Sequence, residues 1–140
     1  MRTLNIIWLS LLTISLLSSC QNKSVQLLSK KWDCVHVENL VPKDMQFQSA
    51  ADSINNRQLQ SVLQSLSWTF NNAMEYECAI DSRTTVKGTY EIQDDDKTLV
   101  CIPETKNSIN VYLINALTEN ELILSSNINN SRLVLHFRPH

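Results

Sequence analysis

The chain has 140 residues, room for one domain rather than two. Lys plus Arg number 12 against 14 Asp plus Glu, a formal charge of −2, so there is no basic excess to hold a phosphate backbone and a nucleic-acid partner is not expected. Hydrophobic residues at 43% and charged residues at 19% describe a globular chain, and a single glycine, Gly88, excludes glycine-rich phosphate loops.

Arg2 precedes an apolar run over residues 6–17, interrupted by Ser10, Thr13 and Ser15. A bilayer span needs about 20 apolar residues, so the run fits the core of an export signal instead. It leads into Leu17, Ser18, Ser19 and Cys20. This junction resembles the lipobox of bacterial lipoproteins: an aliphatic residue, two small residues and a Cys. The resemblance implies that residues 1–19 are a signal peptide. It also implies that Cys20 becomes the mature N-terminus, acylated on sulfur and amine with chains such as palmitate. An ordinary cleaved signal with a chance cysteine is the alternative. Several acyl chains anchor a protein stably where one does not. Gln21 follows Cys20, so the inner-membrane retention signal of enterobacteria is missing and the outer membrane is favoured, on either face. Residues 20–29 read as a polar tether, about 30 Å at most when extended at ~3.4 Å per residue. The domain is then 30–140.

Residues 31–37 read as a strand, with Trp32, Val35 and Val37 as strand formers and Pro42 beyond. Ala51, Ile54, Leu59, Val62, Leu63 and Leu66 then recur at three- and four-residue steps, with Ser49 and Asp52 placed as a capping box. They predict the one convincing helix of the mature chain, over 50–65. Strands follow at 67–70, 74–80, 85–93, 98–102, 110–117, 121–126 and 132–138, punctuated by Asn, Asp and Pro. Asn and Asp tolerate positive φ, which a chain with one glycine needs at its turns.

Eight short strands with short links predict an all-β, eight-stranded antiparallel up-and-down barrel, with one helix between strands 1 and 2. A sandwich is the competing arrangement. Closure removes exposed edges. The long first connection alone can reach over an open end, which suits its helix to be a plug or lid.

Several stretches resemble a family: Lys31-Trp32, Gly88-Thr-Tyr-Glu-Ile92, Lys97-Thr-Leu99, Val111-Tyr-Leu-Ile-Asn-Ala-Leu117, Glu121-Leu-Ile-Leu124 and Leu133-Val-Leu-His-Phe-Arg138. Together they are similar to the lipocalin-like lipoproteins common in Bacteroidetes, across nearly the whole mature chain. Lipocalins usually carry Gly two residues before the first-strand Trp; here the position is Lys30. The resemblance implies a closed barrel able to take an apolar small molecule. In a closed meander the first and last strands are neighbours, so Trp32 and Arg138 are expected to meet, guanidinium on indole, as a barrel closure.

Cys34, Cys78 and Cys101 remain after Cys20 and fall on the first, third and fifth strands. Strands two apart are about 10 Å from each other, too far for a disulfide, which favours three buried free thiols. Contacts across the lumen are the exception. With Trp32 opposite Arg138, Cys34 falls opposite His136, a pair with no third ligand or orienting carboxylate. His36 lies on the first strand as well. Asp94, Asp95 and Asp96 lack the spaced ligands of a calcium loop and read as a hairpin tip. Glu75 and Glu77 share a strand face without an opposing acid. No catalytic, metal-binding or cofactor signature is present, and no enzyme is expected.

Trp68 with Phe70, and Tyr90 with Ile92, are same-face pairs at period two and are the candidates to line a ligand cavity. Two readings stay open. One is a membrane-anchored, non-enzymatic binder of a small apolar ligand. The other is a structural or protein-interaction lipoprotein, an envelope accessory or inhibitor, with a filled core. A ligand site usually gathers a few polar groups in an apolar cavity, and the sequence reveals none.

Overall fold

The computed structural model describes residues 22–39, 50–105, 108–128 and 131–140. Its elements in chain order are α1 (Lys23–Leu28), β1 (Lys31–Glu38), α2 (Ala50–Gln64), β2 (Leu66–Phe70), β3 (Glu75–Ile80), β4 (Arg83–Gln93), β5 (Thr98–Pro103), β6 (Asn110–Leu117), β7 (Leu122–Ile128) and β8 (Ser131–Pro139). The eight strands form a closed antiparallel barrel in sequence order, β1 pairing with β8. The expected meander and the helix between the first two strands are both present. Cys20, the signal region 1–19 and Ser49 lie outside the described residues.

Side chains alternate across the wall as the pleat requires. Trp32, Cys34 and Val37 of β1, Trp68 and Phe70 of β2, Tyr76 of β3 and Tyr90 of β4 are buried. Leu99 and Cys101 of β5, Leu122 and Leu124 of β7, and Leu133, Leu135 and Phe137 of β8 join them in one core. The turns use the expected chemistry. Asp81 and Ser82 have φ of 49° and 63°, the left-handed pair of a two-residue hairpin turn, and Asp94, Asp95 and Asp96 have φ of 54°, 53° and 66°.

Gly88 serves a different need. A Cβ at this position would stand 2.1 Å from the Ile102 carbonyl oxygen, inside backbone that cannot give way. The glycine lets β4 approach the β5 backbone at Ile102 and Pro103 closely.

Residues 22–29 of the expected tether are folded, as the cap and body of α1. Asn22 caps α1 through its side chain, accepting from the Ser24 N–H at 3.0 Å, and Val25 and Leu28 are buried. The polar composition of residues 20–29 hid two apolar positions three apart, enough to seat one short helix on the barrel end. The domain therefore begins before residue 30.

This end is sealed by α1, not by the longer helix. The Trp32 indole N–H donates to the Leu28 carbonyl oxygen at 2.9 Å, and both side chains are fully buried. By chain connection α2 belongs to the opposite end, where its last residues run into β2. Leu63 of α2 packs against the core, but Ile54, Leu59 and Val62 stay about half exposed. The described part of α2 thus lies beside the mouth with much of its apolar face uncovered.

Candidate functional site

The barrel seam corrects two expected pairings. Trp32 stands opposite Pro139, and Arg138 stands opposite Asp33. The register is one residue away from the expected one, and a one-residue slip changes the face of every side chain. Trp32 points inward and Arg138 outward, so they do not stack. The cation over the Trp32 ring is Lys30, its Nζ 5.3 Å from the ring centre. Lys30 also donates to the Glu119 carbonyl oxygen at 3.2 Å, and its backbone stays outside the left-handed region, so this turn works without glycine.

Cys34 faces Phe137, not His136. A bulge between Cys34 and His36 then sets His36 opposite His136 on the outer wall, their rings 5.4 Å apart. The His136 Nε2 donates to Glu38 Oε1 at 2.8 Å. The Cys34 thiol is inside and the imidazoles of His36 and His136 are outside, so these residues form no Cys–His pair.

Of the four expected lining residues, Trp68, Phe70 and Tyr90 are buried inside and Ile92 is partly buried against the same core. Phe70 and Tyr90 belong to the packed half near α1. Their rings meet edge to face at 5.1 Å, and the Tyr90 hydroxyl donates to the Asn71 carbonyl oxygen at 2.9 Å. These two form the floor of the interior. Trp68 sits above them, 5.6 Å from Phe70, 6.0 Å from Tyr76 and 5.2 Å from Tyr112 by ring centres.

Here the structure gathers a polar group that spacing along the sequence does not show. The Trp68 Nε1 is buried and meets no oxygen or nitrogen acceptor among the described residues; the Cys78 sulfur is the one group it acts on, and it partly offsets the effect of burial on that thiol. Across the β2–β3 ladder it faces Cys78, but thiol sulfur is a weak acceptor. The Tyr76 and Tyr112 hydroxyls and the Cys78 and Cys101 thiols are close enough to influence one another. Burial, followed by the neighbouring thiols, pushes Tyr76 up to about 12 and Tyr112 upward as well. Burial with the Cys78 charge pushes Cys101 up to about 12, and burial raises Cys78 too. All five groups are therefore neutral and protonated near pH 7, and all are donors. Tyr112 and Cys78 are only partly buried, as are Ile80 and Val86 farther towards the mouth.

The cysteines of the described residues are free, on β1, β3 and β5 as expected. Burial pushes Cys34 up to about 11, offset in part by its weak bond to the His36 carbonyl oxygen. The aspartate run is a hairpin tip in which Asp94 accepts from Thr98 at 2.8 Å and Asp96 from Asn22 at 2.9 Å. Glu75 and Glu77 border an open groove of about 320 Å³ on the outer wall, with Lys87 and Glu104. Lys87 pairs with Glu77 at 3.4 Å.

Sequence spacing missed Tyr76 and Tyr112 as interior groups, and it expected Cys78 and Cys101 inside only as buried free thiols, not beside these tyrosines. The four come from three strands, and only barrel closure makes them neighbours. The period-two pattern of Tyr76 and Cys78 was the one available signal.

A closed eight-stranded antiparallel barrel with these proportions is a lipocalin-like fold. Solved structures agree. The chain is similar to a lipocalin-like protein from Bacteroides uniformis, at 12% identity and a TM-score of 0.53, over 81% of this chain and 99% of that one. It is similar to a DUF4847 family protein from Bacteroides vulgatus, at 14% identity and a TM-score of 0.51, over 80% and 93%. An uncharacterized protein from Bacteroides eggerthii matches at 12% identity and a TM-score of 0.53, over 81% and 99%. At these identities the likeness is one of fold. No family model and no curated protein matches the sequence.

Proposed function

We propose that this protein is an envelope lipoprotein, held on the outer membrane by acyl chains on Cys20, whose barrel is a non-enzymatic binder of a small apolar molecule. The Trp68 Nε1, buried with only the weakly accepting Cys78 sulfur beside it, carries this reading. A buried N–H without a good acceptor costs roughly 1–3 kcal/mol, and a ligand carbonyl or ether oxygen in its place would remove that cost. The neighbouring Tyr76 and Tyr112 hydroxyls would serve the same oxygen, and the surrounding rings an apolar body. The indole N–H can only donate and none of the five groups carries charge, which suits a neutral acceptor better than a cation. Entry would be from the end opposite α1, because the α1 end is filled.

Native mass spectrometry of the protein extracted from its own envelope tests this. A bound species of defined mass, lost in Trp68→Phe, is expected. Ligand-free protein at every charge state would sink the binder. The packed floor of Phe70 and Tyr90 favours the second reading, a filled barrel acting through an unidentified protein partner, and that outcome would leave it standing.

A further inference from the structure

The outer wall of β5 and β6 breaks the usual rule that a barrel side facing water is polar. Ile102, Val111 and Leu113 are 38%, 52% and 47% exposed, and Ile109, just before β6, is 63% exposed. The inward neighbours Leu99, Cys101, Tyr112 and Ile114 belong to the core, so these two strands are apolar on both faces. Val100 pairs with Val111, and Leu113 stands opposite Thr98, the first residue of β5. The exposed apolar strip runs along β6 from Ile109 through Val111 to Leu113, with Ile102 beside it on β5, while Val100 is buried and Thr98 is the polar residue at the Leu113 end.

The strip starts where the chain leads back to Cys20. Asn22 donates from Nδ2 to Asp96 Oδ1 at 2.9 Å, on the turn that enters β5. Cys20 is two residues earlier, within about 7 Å of Asn22 at ~3.4 Å per residue. An acyl anchor on Cys20 would therefore emerge at the same end of the same strand pair as Leu113.

We propose that the β5–β6 wall is the membrane-facing side of the barrel, its exposed Ile102, Ile109, Val111 and Leu113 resting in the lipid surface that holds the acyl chains. This rests on the reading of Cys20 as the lipid anchor. A floating barrel on a tether would present its sides at random. An anchor two residues from a folded helix, at one end of an apolar strip, makes the strip the side brought down on the bilayer. Glu91 pairs with Val100 along one edge of the strip, and Asp94 and Asp95 stand at the turn. Ser125, bonded to Arg132 at 3.1 Å, lies opposite Leu113 on the other. Arg132, which also donates to Asn115 Oδ1 at 2.9 Å, and Lys97 beside Thr98 stand against the acidic Glu91, Asp94 and Asp95, so the described rim carries both signs and zwitterionic lipid suits it.

The test uses the full chain purified with its native N-terminus and reconstituted into phosphatidylethanolamine–phosphatidylcholine vesicles. A polarity-sensitive fluorophore is placed at Val111→Cys, at Leu113→Cys as a second position, and at the outward Thr69→Cys on the far wall. Labels at 111 and 113 should shift to the blue and be quenched by lipid-borne spin labels, several-fold more than at 69. If the protein carries its acyl mass and binds the vesicles while 111 and 113 report water, the proposal is wrong and the anchor reading survives. If no acyl mass is present and vesicles are not bound, the anchor reading fails and takes the proposal with it. A blue shift before vesicles are added, with a doubled particle mass, would assign the strip to a second copy. A response confined to native membranes and absent from protein-free vesicles would assign it to a protein partner.

Discussion

Trp32 and Trp68 occupy the same barrel interior with opposite hydrogen-bond fates. The indole N–H of Trp32 reaches the Leu28 carbonyl oxygen at 2.9 Å, while that of Trp68 meets no oxygen acceptor among the described residues and has only the weak Cys78 sulfur beside it. Replacing each by Phe removes a similar volume. Trp32→Phe also removes one of the two bonds that the buried Leu28 carbonyl oxygen accepts, the Lys30 N–H at 2.8 Å being the other, and loosens α1; it should cost about 2–4 kcal/mol. Trp68→Phe deletes a poorly satisfied donor, and the ligand-free protein should lose less by about 1–3 kcal/mol. Urea unfolding of both variants, freed of ligand, compares them. Equal losses would mean that Trp68 has a stronger partner.

Gly88 should tolerate no side chain. The added methyl of Gly88→Ala meets the Ile102 carbonyl, so β4 and β5 must separate. A loss of about 2 kcal/mol or more is expected, at the severe end for a single methyl. A thermal midpoint within a degree or two of the parent would show that the strand pair can yield.

Alkali should unfold the domain. Cys34 is held up at about 11, and Cys101 and Tyr76 at about 12, each above its ordinary value, chiefly by burial. Burial favours the neutral form, so this stability is intact below about pH 9 and is lost as pH rises through 11 to 12. Thermal midpoints should be level from pH 7 to about 9 and fall steadily above. Cys101→Ala should flatten the fall, and an identical slope in that variant would contradict the assignment.

The same burial should silence the thiols. In the native protein, Cys34 and Cys101 should react with a thiol reagent at the rate of global unfolding, while the half-buried Cys78 reacts sooner. Mass spectrometry of the labelled time course separates the sites. Fast, equal labelling of all three would show the barrel open on that timescale.

The aspartate hairpin should reject branched residues. Asp95 has φ of 53°, where a β-branched side chain is strained. Asp95→Val should lose about 1–2 kcal/mol, and Asp95→Gly should be neutral or slightly stabilising. Equal stability of the two variants would place the turn elsewhere.

Strand existence and order were legible because each strand announces itself locally. Thr98, Leu99 and Val100 ended by Pro103, or Val111 to Leu117 ended by Thr118, Glu119 and Asn120, need no distant partner to be recognised. The helix over 50–64 was legible for the same reason. α1 was not: six residues cannot hold a helix in isolation, and this one exists because Val25 and Leu28 dock on the barrel end.

Local pattern by itself determined the number of strands, their order, the turn residues and which face of most strands is apolar, because periodicity and turn chemistry act within a few residues. Register was decided by closure. Whether Arg138 meets Trp32 or Asp33 depends on the bulge and on how eight strands share one circumference, a condition no single strand carries. The interior cluster of Trp68, Tyr76, Cys78, Cys101 and Tyr112 has the same origin. These residues lie on four strands, and only the curvature of the closed wall turns their side chains towards one another.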